Sequence, residues 1–355
     1  MTDQSNAHRG AYILVIIAAL VVIIYGINQA QSVIALFLFS VFLALIGTPP
    51  VLWLERKHVP SFLAVMMVMS GIVAFLLIIG IVVGESLSNF SDALPYYQKR
   101  LQDAILSLKP YLTSKHIIVT NKVLLEYFNP GPVIDIALSL VSSVGLLLSN
   151  ILLVLLTVAF ILFEASSFPV KLRAVLGNPH QDFPQFTKFI NDLERYMVIK
   201  TLISLATGVL VGLWLYILGV DSPILWGFIA FLFNFIPNVG SSIAAIPPVI
   251  LAFVQLGIGS AVLVMAGYMS VNFILDNIIE TKLMGHKLGL STLVVFLSLM
   301  FWGSLLGPVG MVLCIPFTMT LKFACENNES TQWIALLLGS ENIKENKLPL
   351  IKKSK

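Results

Sequence analysis

Ionisable residues are few inside the apolar stretches of this chain, and those that could act together are Lys200, Asp276 and Glu280. A charged side chain near the centre of a membrane-spanning helix costs at least about 2.5–3.5 kcal/mol, so such residues usually face a partner or a water-filled path. Asp276 and Glu280 are four residues apart, which places both carboxyl groups on one face of a helix. Two carboxyl groups in a medium of low dielectric constant could bind a cation or share one proton. As an alternative, Lys200 extends its amine to the aqueous surface, and Glu280 pairs there with Lys282.

Two breaks that contain proline and glycine interrupt later apolar regions. They are Phe235-Ile236-Pro237-Asn238-Val239-Gly240-Ser241-Ser242 and Leu306-Gly307-Pro308-Val309-Gly310. Non-helical backbone at membrane depth is tolerated only where it is buried in protein or lines a cavity. Broken segments in two corresponding places are typical of transporter binding sites, because the helix ends present partial charges to a solute or ion. The alternative is that these glycines serve packing alone.

From these features we predict a path for a substrate or ion that involves both breaks. Its residues are Asn234, Pro237, Asn238, Gly240, Ser241, Asn277, Glu280, Gly307, Pro308 and Gly310. Asp276 and Lys200 are candidates for coupling solute movement to an ion. We predict no catalytic residue, metal site or cofactor, and hence no enzyme. The sequence has no Walker loop, nucleophile elbow, zinc-protease helix or Cys/His cluster of metal-binding spacing.

The composition indicates that a membrane surrounds these residues. Hydrophobic residues make up 58% of the 355-residue chain and charged residues only 11%, whereas soluble domains carry about 25% charged residues. The net charge of +3 is too small and too scattered for nucleic-acid binding. We therefore predict an all-α integral membrane protein whose main partner is the lipid bilayer.

Six stretches fit full membrane spans, each of which needs about 20 mostly apolar residues. They are residues 11–27, 31–54, 60–84, 133–163, 196–219 and 258–281. The regions 223–255 and 292–325 contain the two breaks, and their first arms have 14 and 15 residues. Arms of that length reach only about 21–23 Å, which is short of a hydrocarbon core of about 30 Å. We therefore predict two broken re-entrant hairpins, with kinked full spans as the alternative.

Residues 85–132 are predicted to be an extracytoplasmic amphipathic helical segment. Apolar residues recur every three or four positions from Leu87 to Leu108, and a second short helix fits 121–128. The stripe could lie on the bilayer, on the protein's own spans, or against another subunit. The predicted division of the chain is transmembrane helices 1–3 (1–84), this segment (85–132), a transport core (133–325) that includes a cytoplasmic loop (164–195), and a cytoplasmic tail (326–355).

The distribution of Lys and Arg predicts that both termini are cytoplasmic. In that orientation 15 of the 21 Lys and Arg residues lie inside, five lie in the 85–132 segment, and Lys200 lies within a span. This is the excess that cytoplasmic loops of bacterial membrane proteins carry. Within the loop 164–195, an apolar stripe from Phe186 to Leu193 predicts a helix on the membrane surface.

Several motifs follow one another in the second half of the chain. They are Tyr196-Met-Val-Ile-Lys200-Thr201-Leu-Ile-Ser204, Gly219-Val-Asp221, Leu225-Trp226-Gly227, Asn234-Phe-Ile-Pro237-Asn238-Val-Gly240-Ser241, Asn277-Ile-Ile-Glu280, Met284-Gly285, Leu288-Gly289-Leu290, Phe301-Trp302-Gly303 and Gly307-Pro308-Val-Gly310. In this order they resemble the autoinducer-2 exporter family of bacterial inner-membrane proteins, close to its quorum-signal transport branch. Residues 1–195 match the family in pattern more than in motif. The family commonly has Gly where Asp276 stands and Pro-Arg where Thr281-Lys282 stand, which makes the Asp276–Glu280 pair a local feature of this chain.

The resemblance implies export of autoinducer-2, a small polar quorum-sensing signal, in some members, whereas other members resemble sodium/proton antiporters. It also implies a homo-oligomer, with the family suggesting a pentamer. We therefore predict a secondary transporter that exports a small polar solute such as autoinducer-2, with H+ or Na+ as the ion if transport is coupled. The alternatives are a sodium/proton antiporter and, in another class, a non-transporting membrane scaffold built around residues 85–132.

Overall fold

The computed structural model describes residues 24–107, 150–176, 184–284, 290–327 and 331–339, with positions 15, 18, 19, 21 and 22. These residues are almost entirely helical, and the β-type pairing among them is one isolated bridge between Leu290 and Gly339. The predicted all-α class is therefore confirmed. The elements are α1 (Gln31–Arg56), α2 (Ser61–Ser107), α3 (Ile151–Leu176), α4 (Pro184–Leu218), α5 (Pro223–Phe233), α6 (Gly240–Leu256), α7 (Ile258–Asn272), a π-helix (Phe273–Glu280), α8 (Thr281–Met284), α9 (Thr292–Glu326) and α10 (Gln332–Leu338).

Five helices in the described part of the chain are long and apolar enough to cross a membrane. They are Gln31–Arg56, Ser61–Ser86, Gln185–Leu218, Ile258–Met284 and Thr292–Glu326. Four of them coincide with predicted full spans, and the fifth contains the second predicted hairpin. The predicted span 11–27 lies partly outside the described residues, and the span 133–163 is described only from Asn150 onward.

Helix α2 continues without a break beyond residue 84, where the third span was predicted to end. Its 47 residues correspond to about 70 Å, more than twice the thickness of a bilayer core. The predicted helix that starts at Leu87 is therefore the second half of α2, and Pro95 is accommodated within it. The chain becomes more polar after residue 84 while the helix persists. The end of the predicted stripe beyond Ser107 and the predicted helix at 121–128 lie outside the described residues.

The predicted cytoplasmic loop 164–195 is largely helical. Helix α3 runs on to Leu176, and helix α4 begins at Pro184. The stripe from Phe186 to Leu193 is helical, as predicted, and it contacts α9, where the ring of Phe189 stacks on the ring of Phe323 with centroids 4.5 Å apart. Its position at the membrane surface stays a prediction. Stacking removes an aromatic face from water, and the sequence pattern alone could not show that another helix supplies the partner.

Helices α5 and α6 form hairpin 1. The ends of the hairpin meet, because the Asp221 N–H donates to Oε1 of Gln255 at 3.2 Å, although a straight helix would separate them by about 50 Å. The Tyr97 hydroxyl of α2 donates to Oδ2 of Asp221 at 2.6 Å and accepts from Nε2 of Gln255 at 3.1 Å. The Gln255 amide also contacts the Asp221 carboxylate. We call these three side chains the Tyr97 clasp.

Helix α9 contains hairpin 2, because its backbone leaves the helical conformation at Gly307 (φ 66°, ψ −149°). Its arms lie side by side: Oγ1 of Thr318 donates to Oγ of Ser298 at 2.8 Å, and the rings of Trp302 and Phe317 are 4.8 Å apart. On a straight helix these pairs would be about 30 and 22 Å apart. Both broken regions therefore fold back on themselves, while their re-entry from one side of the membrane stays a prediction.

Glycines bring hairpin 1 close to α4. A Cβ on Gly208 would lie 2.7 Å from the carbonyl oxygen of Gly227, and a Cβ on Gly227 would lie 2.7 Å from that of Gly208. Gly212 follows Gly208 by four residues, the small-residue spacing that lets membrane helices approach each other. This contact holds hairpin 1 against the helix that carries Lys200.

Candidate functional site

Lys200 forms an ion pair with Glu280 inside the helix bundle. Lys200 is 6% exposed, and its Nζ lies 2.9 Å from Oε2 of Glu280, whose side chain is 17% exposed. The pair joins α4 to the π-helix, 80 residues later in the chain. A charge this buried is stable only with a partner. The alternatives in which Lys200 reaches the aqueous surface and Glu280 pairs with Lys282 are therefore not what the structure shows.

Asp276 lies beside this ion pair. Its carboxyl group interacts with the side chains of Lys200, Glu280 and Asn234. Its Oδ1 atom is buried and has no hydrogen-bond partner among the described residues. When all three groups are ionised, two carboxylates face one ammonium, so one negative charge is left without a balancing cation. We call Lys200, Asp276 and Glu280 the charged cluster.

Both carboxyl groups of the charged cluster stand on the π-helix, Phe273–Glu280. A π-helix closes its hydrogen bonds over five residues instead of four, and such segments occur frequently at functional sites. The sequence predicted a shared helix face for Asp276 and Glu280, and the structure places both beside Lys200. The π conformation was not predicted, because it depends on packing against other helices and has no pattern in this stretch.

Asn234 connects hairpin 1 to the charged cluster. Its side chain is 2% exposed, and its Nδ2 donates to Oγ of Ser204 at 3.1 Å. Ser204 follows Lys200 by four residues on the same face of α4. It was not among the predicted site residues, although its place one turn after Lys200 was a usable signal. The predicted residues that meet here are Lys200, Asn234, Asp276 and Glu280.

The tip of hairpin 1 is a tight turn between α5 and α6. Asn238 has φ 62°, and the Val239 N–H donates to the carbonyl oxygen of Pro237 at 2.7 Å. A Cβ on Gly240 would overlap the carbonyl oxygen of Phe233. Gly240 therefore has the packing role that was the alternative for it, because no side chain fits there. The Asn238 side chain is exposed at the turn.

The tip of hairpin 2 is built in the same way. A Cβ on Gly310 would overlap the carbonyl oxygen of Trp302, the same kind of clash as at Gly240. Gly307 has φ 66°, a conformation that favours glycine. The echo between the two breaks in the sequence thus corresponds to a shared backbone construction.

The two tips share one apolar cluster. Ile236 from the first tip and Val309 from the second are both buried members of it. Among the described hydrogen bonds, none links the second tip to the charged cluster. A Cβ at Gly307 would lie 2.9 Å from Nε2 of Gln31 in α1. Gly307, Pro308 and Gly310 therefore shape the second tip and add no polar side chain.

Two other predicted residues are not part of the charged cluster. Ser241 is in the first turn of α6, and Asn277 is an exposed residue of the π-helix. Within the described ranges, neither donates a side-chain hydrogen bond to the cluster. The same ranges hold no group of three or more His, Cys, Asp or Glu placed to bind a metal ion.

A groove of about 310 Å³ lies between α1 and α4. Its lining residues are Pro49, Asn191, Glu194, Arg195, Val198 and Ile199. Small-molecule sites start at about this volume. The Arg195 guanidinium donates to the carbonyl oxygen of Leu283 at 2.7 Å, and Ile199 directly precedes Lys200. No sequence pattern predicted this groove, because Pro49 and the residues of α4 that line it are far apart in the chain.

Helices of membrane-spanning length surround a buried charged cluster, which touches a hairpin where an apolar helix is broken. Ionisable groups inside a bundle and broken helices at membrane depth are the features of secondary transporters. They define the class as an all-α, multi-pass membrane transporter.

The chain belongs to the AI-2E family, because the model for "AI-2E family transporter" matches residues 13–329. It is 38% identical over 334 residues to the AI-2 transport protein TqsA of Escherichia coli K12, covering 94% of this chain and 97% of TqsA. It is 35% identical over 331 residues to the putative transport protein YhhT of the same strain, covering 93% and 95%. A putative transport protein of Haemophilus influenzae is 35% identical over 346 residues, covering 96% and 98%. The predicted family is confirmed, and the scaffold alternative finds no support in these relatives.

Proposed function

We propose that this chain is a secondary transporter that exports a small polar solute of the autoinducer-2 type across the bacterial inner membrane, in quorum sensing. The relative TqsA is named as an AI-2 transport protein. The observation that carries the proposal is the position of Asn234, which belongs to hairpin 1 and lies beside the charged cluster. A movement of the hairpin therefore changes the surroundings of buried charges.

The two hairpin tips act as the gate in this proposal. Both tips belong to one apolar cluster, so we expect them to move apart without breaking a buried ion pair. The solute binds at the exposed Asn238 and at backbone groups that the helix breaks at Pro237 and Gly307 leave outside regular helix. Ser241, which follows the break in the first turn of α6, adds a hydroxyl group to this binding site. The groove between α1 and α4 is the approach from the aqueous side.

The charged cluster couples transport to an ion, and we propose that this ion is a proton. Lys200 already holds an ammonium group 2.9 Å from Glu280, where a sodium ion would otherwise balance the carboxylate. A proton on the cluster neutralises the remaining negative charge without displacing Lys200. Because Asn234 adjoins Asp276, gain or loss of the proton alters the contact that holds hairpin 1.

A sodium/proton antiporter is the second candidate. The buried Oδ1 atom of Asp276, which lacks a hydrogen-bond partner among the described residues, favours it. In this alternative a sodium ion binds the two carboxylates after Lys200 has moved away, and no organic solute crosses.

Flux into and out of proteoliposomes distinguishes these functions. Purified protein is reconstituted, vesicles are loaded with autoinducer-2 or with ribose as a control polyol, and a proton or sodium gradient is imposed at constant membrane potential. The proposal expects release of autoinducer-2 that the proton gradient accelerates, with little release of ribose. Sodium uptake linked to proton movement without solute release would instead identify the antiporter. Absence of flux under every gradient would contradict both.

We also propose a homo-oligomer of more than two chains, with five suggested by the family resemblance, and cytoplasmic termini. The amphipathic pattern of residues 87–108 supports a contact between subunits along the second half of α2. Native mass spectrometry in mild detergent tests the assembly, and a monomer as the sole species would contradict it.

A further inference from the structure

Helix α10 lies across the open end of hairpin 2. The Ser291 N–H donates to the carbonyl oxygen of Leu338 at 3.2 Å, and Leu290 pairs with Gly339 in an antiparallel bridge. At the other end of α10, Oγ1 of Thr331 donates to the carbonyl oxygen of Cys325 at 3.2 Å. Ser291 precedes the first arm of the hairpin and Cys325 ends the second. Both ends of α10 are therefore bonded to the base of hairpin 2.

The two faces of α10 differ in burial. Ala335 is 5% exposed and faces the protein, whereas Trp333, Leu336 and Leu337 are 61%, 40% and 69% exposed. The three exposed residues are spaced by three and four positions, so they form a single apolar stripe. We call Trp333, Leu336 and Leu337 the α10 stripe.

The position of α10 corresponds to a membrane boundary. Both arms of hairpin 2 are apolar, and the helix that contains them, Thr292–Glu326, has membrane-spanning hydropathy. The base of the hairpin is where this apolar segment starts and ends, so α10 lies where hydrocarbon gives way to water. Tryptophan is enriched at this level of the bilayer.

Positive charge follows α10 directly in the sequence. Residues 340–355 contain five lysines and two glutamates, which gives a net charge of +3. The lysines are Lys344, Lys347, Lys352, Lys353 and Lys355. A basic segment next to an apolar helix face is attracted to anionic lipid head groups, and stable attachment to a membrane surface needs two such signals together.

We propose that α10 binds the surface of an anionic phospholipid bilayer. The α10 stripe enters the interface, and the positive charge of the sequence 340–355, which lies outside the described residues, favours anionic lipid. Since α10 is bonded to both arms, this attachment holds the base of hairpin 2 at the membrane surface while its tip moves. The occupant of the stripe is lipid, and a second copy of the chain is the rival that the experiment must exclude. The proposal does not depend on the identity of the solute.

Fluorescence quenching on the full-length protein tests this attachment. Leu337→Cys is labelled with an environment-sensitive fluorophore; the native Cys314 and Cys325 are buried and should not react. The protein is reconstituted in phosphatidylcholine vesicles with or without phosphatidylglycerol. A nitroxide-bearing lipid and aqueous iodide serve as quenchers. Asn327→Cys, at the exposed polar end of α9, is the control position.

The proposal expects the label at position 337 to be quenched by the lipid nitroxide and protected from iodide, with stronger lipid quenching when phosphatidylglycerol is present. The control label should respond mainly to iodide. In anionic vesicles, each tail lysine replaced by glutamine should lower the ratio of membrane-bound to unbound α10, as read from quenching of the label, by about fivefold. Inorganic phosphate added to zwitterionic vesicles should not reproduce the anionic lipid effect.

Two outcomes would overturn the proposal. In one, iodide quenches the label at position 337 as well as at the control position, whatever the lipid. In the other, the label is shielded from both quenchers and cross-links to a second copy, which makes the stripe a subunit contact. Neither outcome depends on transport, so failure here is distinct from failure of the proposed function.

Discussion

At the scale of single residues, the Lys200–Glu280 ion pair is more costly than an apolar contact of the same size. Desolvating two charges offsets most of their attraction, and apolar replacement of a whole buried pair is often neutral or stabilising. Lys200 is 6% exposed, so this argument applies to it directly. We infer that the pair is present for transport and not for stability.

This inference predicts a particular pattern of stability in variants of the pair. Lys200→Met alone should destabilise the protein by about 3–5 kcal/mol, because the buried carboxylates are left without a cation, whereas Glu280→Leu should cost less, because Asp276 still lies beside Lys200. The double variant should lose less than the sum of the two single losses, because both changes remove the same ion pair, and it should not transport. Thermal unfolding in detergent measures the cycle. Losses that simply add in the double variant would show that the two side chains do not interact.

The glycines at the two tips give a second prediction. Gly240→Ala and Gly310→Ala should each cost about 1–3 kcal/mol, because the new methyl group meets a backbone carbonyl that cannot move aside. Gly259→Ala is the control, since a Cβ there has no neighbour within 4 Å among the described atoms. Thermal unfolding of the three variants checks this. Equal stability in all three would mean that the tips are more open than described.

The sequence located the charged residues of the site but not their contacts. Lys200, Asp276 and Glu280 were visible because charge is rare in apolar stretches. Ser204 and Gln31 carry no charge, and their roles arise from helices that pack together only in the folded chain. Gly240 was predicted as a residue of the substrate path; its closeness to the Phe233 carbonyl shows that packing by itself requires glycine there, while the path role stays a prediction.

At the scale of elements, the Tyr97 clasp ties the second half of α2 to the base of hairpin 1. Burial, together with the hydrogen bond to Asp221, raises the pKa of the Tyr97 hydroxyl well above its ordinary value of about 10. Because this pKa is raised, the contribution of the Tyr97 hydroxyl to the free energy of unfolding is complete when the pH is below the ordinary pKa. It is lost only as the pH rises through the pKa of the folded state. The clasp therefore stays closed throughout the physiological pH range.

Removal of the Tyr97 hydroxyl should loosen the base of hairpin 1. Tyr97→Phe should destabilise the protein by about 1–2 kcal/mol, because Asp221 loses one of its donors. Tyr96→Phe is the matched control, since Tyr96 is 54% exposed and should be near neutral. Thermal unfolding of both variants at pH 7 is the measurement. A similar loss in both would show that the clasp contributes nothing specific.

Among the elements, the sequence pattern predicted the two hairpins but not the length of α2 or the π-helix. Pro237 and Gly307 marked the hairpins correctly, because each lies in a short stretch that combines proline and glycine, whereas the single Pro95 is accommodated within α2. The predicted third span, 60–84, agrees with the apolar part of α2, Ser61–Ser86, but the helix itself continues, because a fall in hydropathy marks a membrane boundary and not a helix boundary. The π-helix could not be predicted from the sequence, because its hydrogen bonds over five residues are maintained by tertiary contacts with neighbouring helices.

At the scale of the whole molecule, the topology is an open prediction that labelling can decide. Single cysteines at Ser91, in the second half of α2, and at Ser167, in α3, should react with a membrane-impermeant reagent from opposite sides of the membrane. The expectation rests on the Lys and Arg distribution, which places residues 166–195 in the cytoplasm and 85–132 outside. Labelling of both positions from the same side would refute this orientation.

The central claim is that hairpin 1 and the charged cluster work together, and solute release from proteoliposomes at several pH values tests it most directly. Wild-type protein should release autoinducer-2 at a rate that depends on pH. Glu280→Gln should abolish that pH dependence while keeping downhill release, because Asp276 and Lys200 then balance each other and the cluster holds no surplus negative charge for a proton to neutralise. Glu326→Gln, a surface carboxyl group paired with Lys322 at 3.6 Å, should behave like the wild type. An unchanged pH dependence in Glu280→Gln, at equal protein content, would contradict the account.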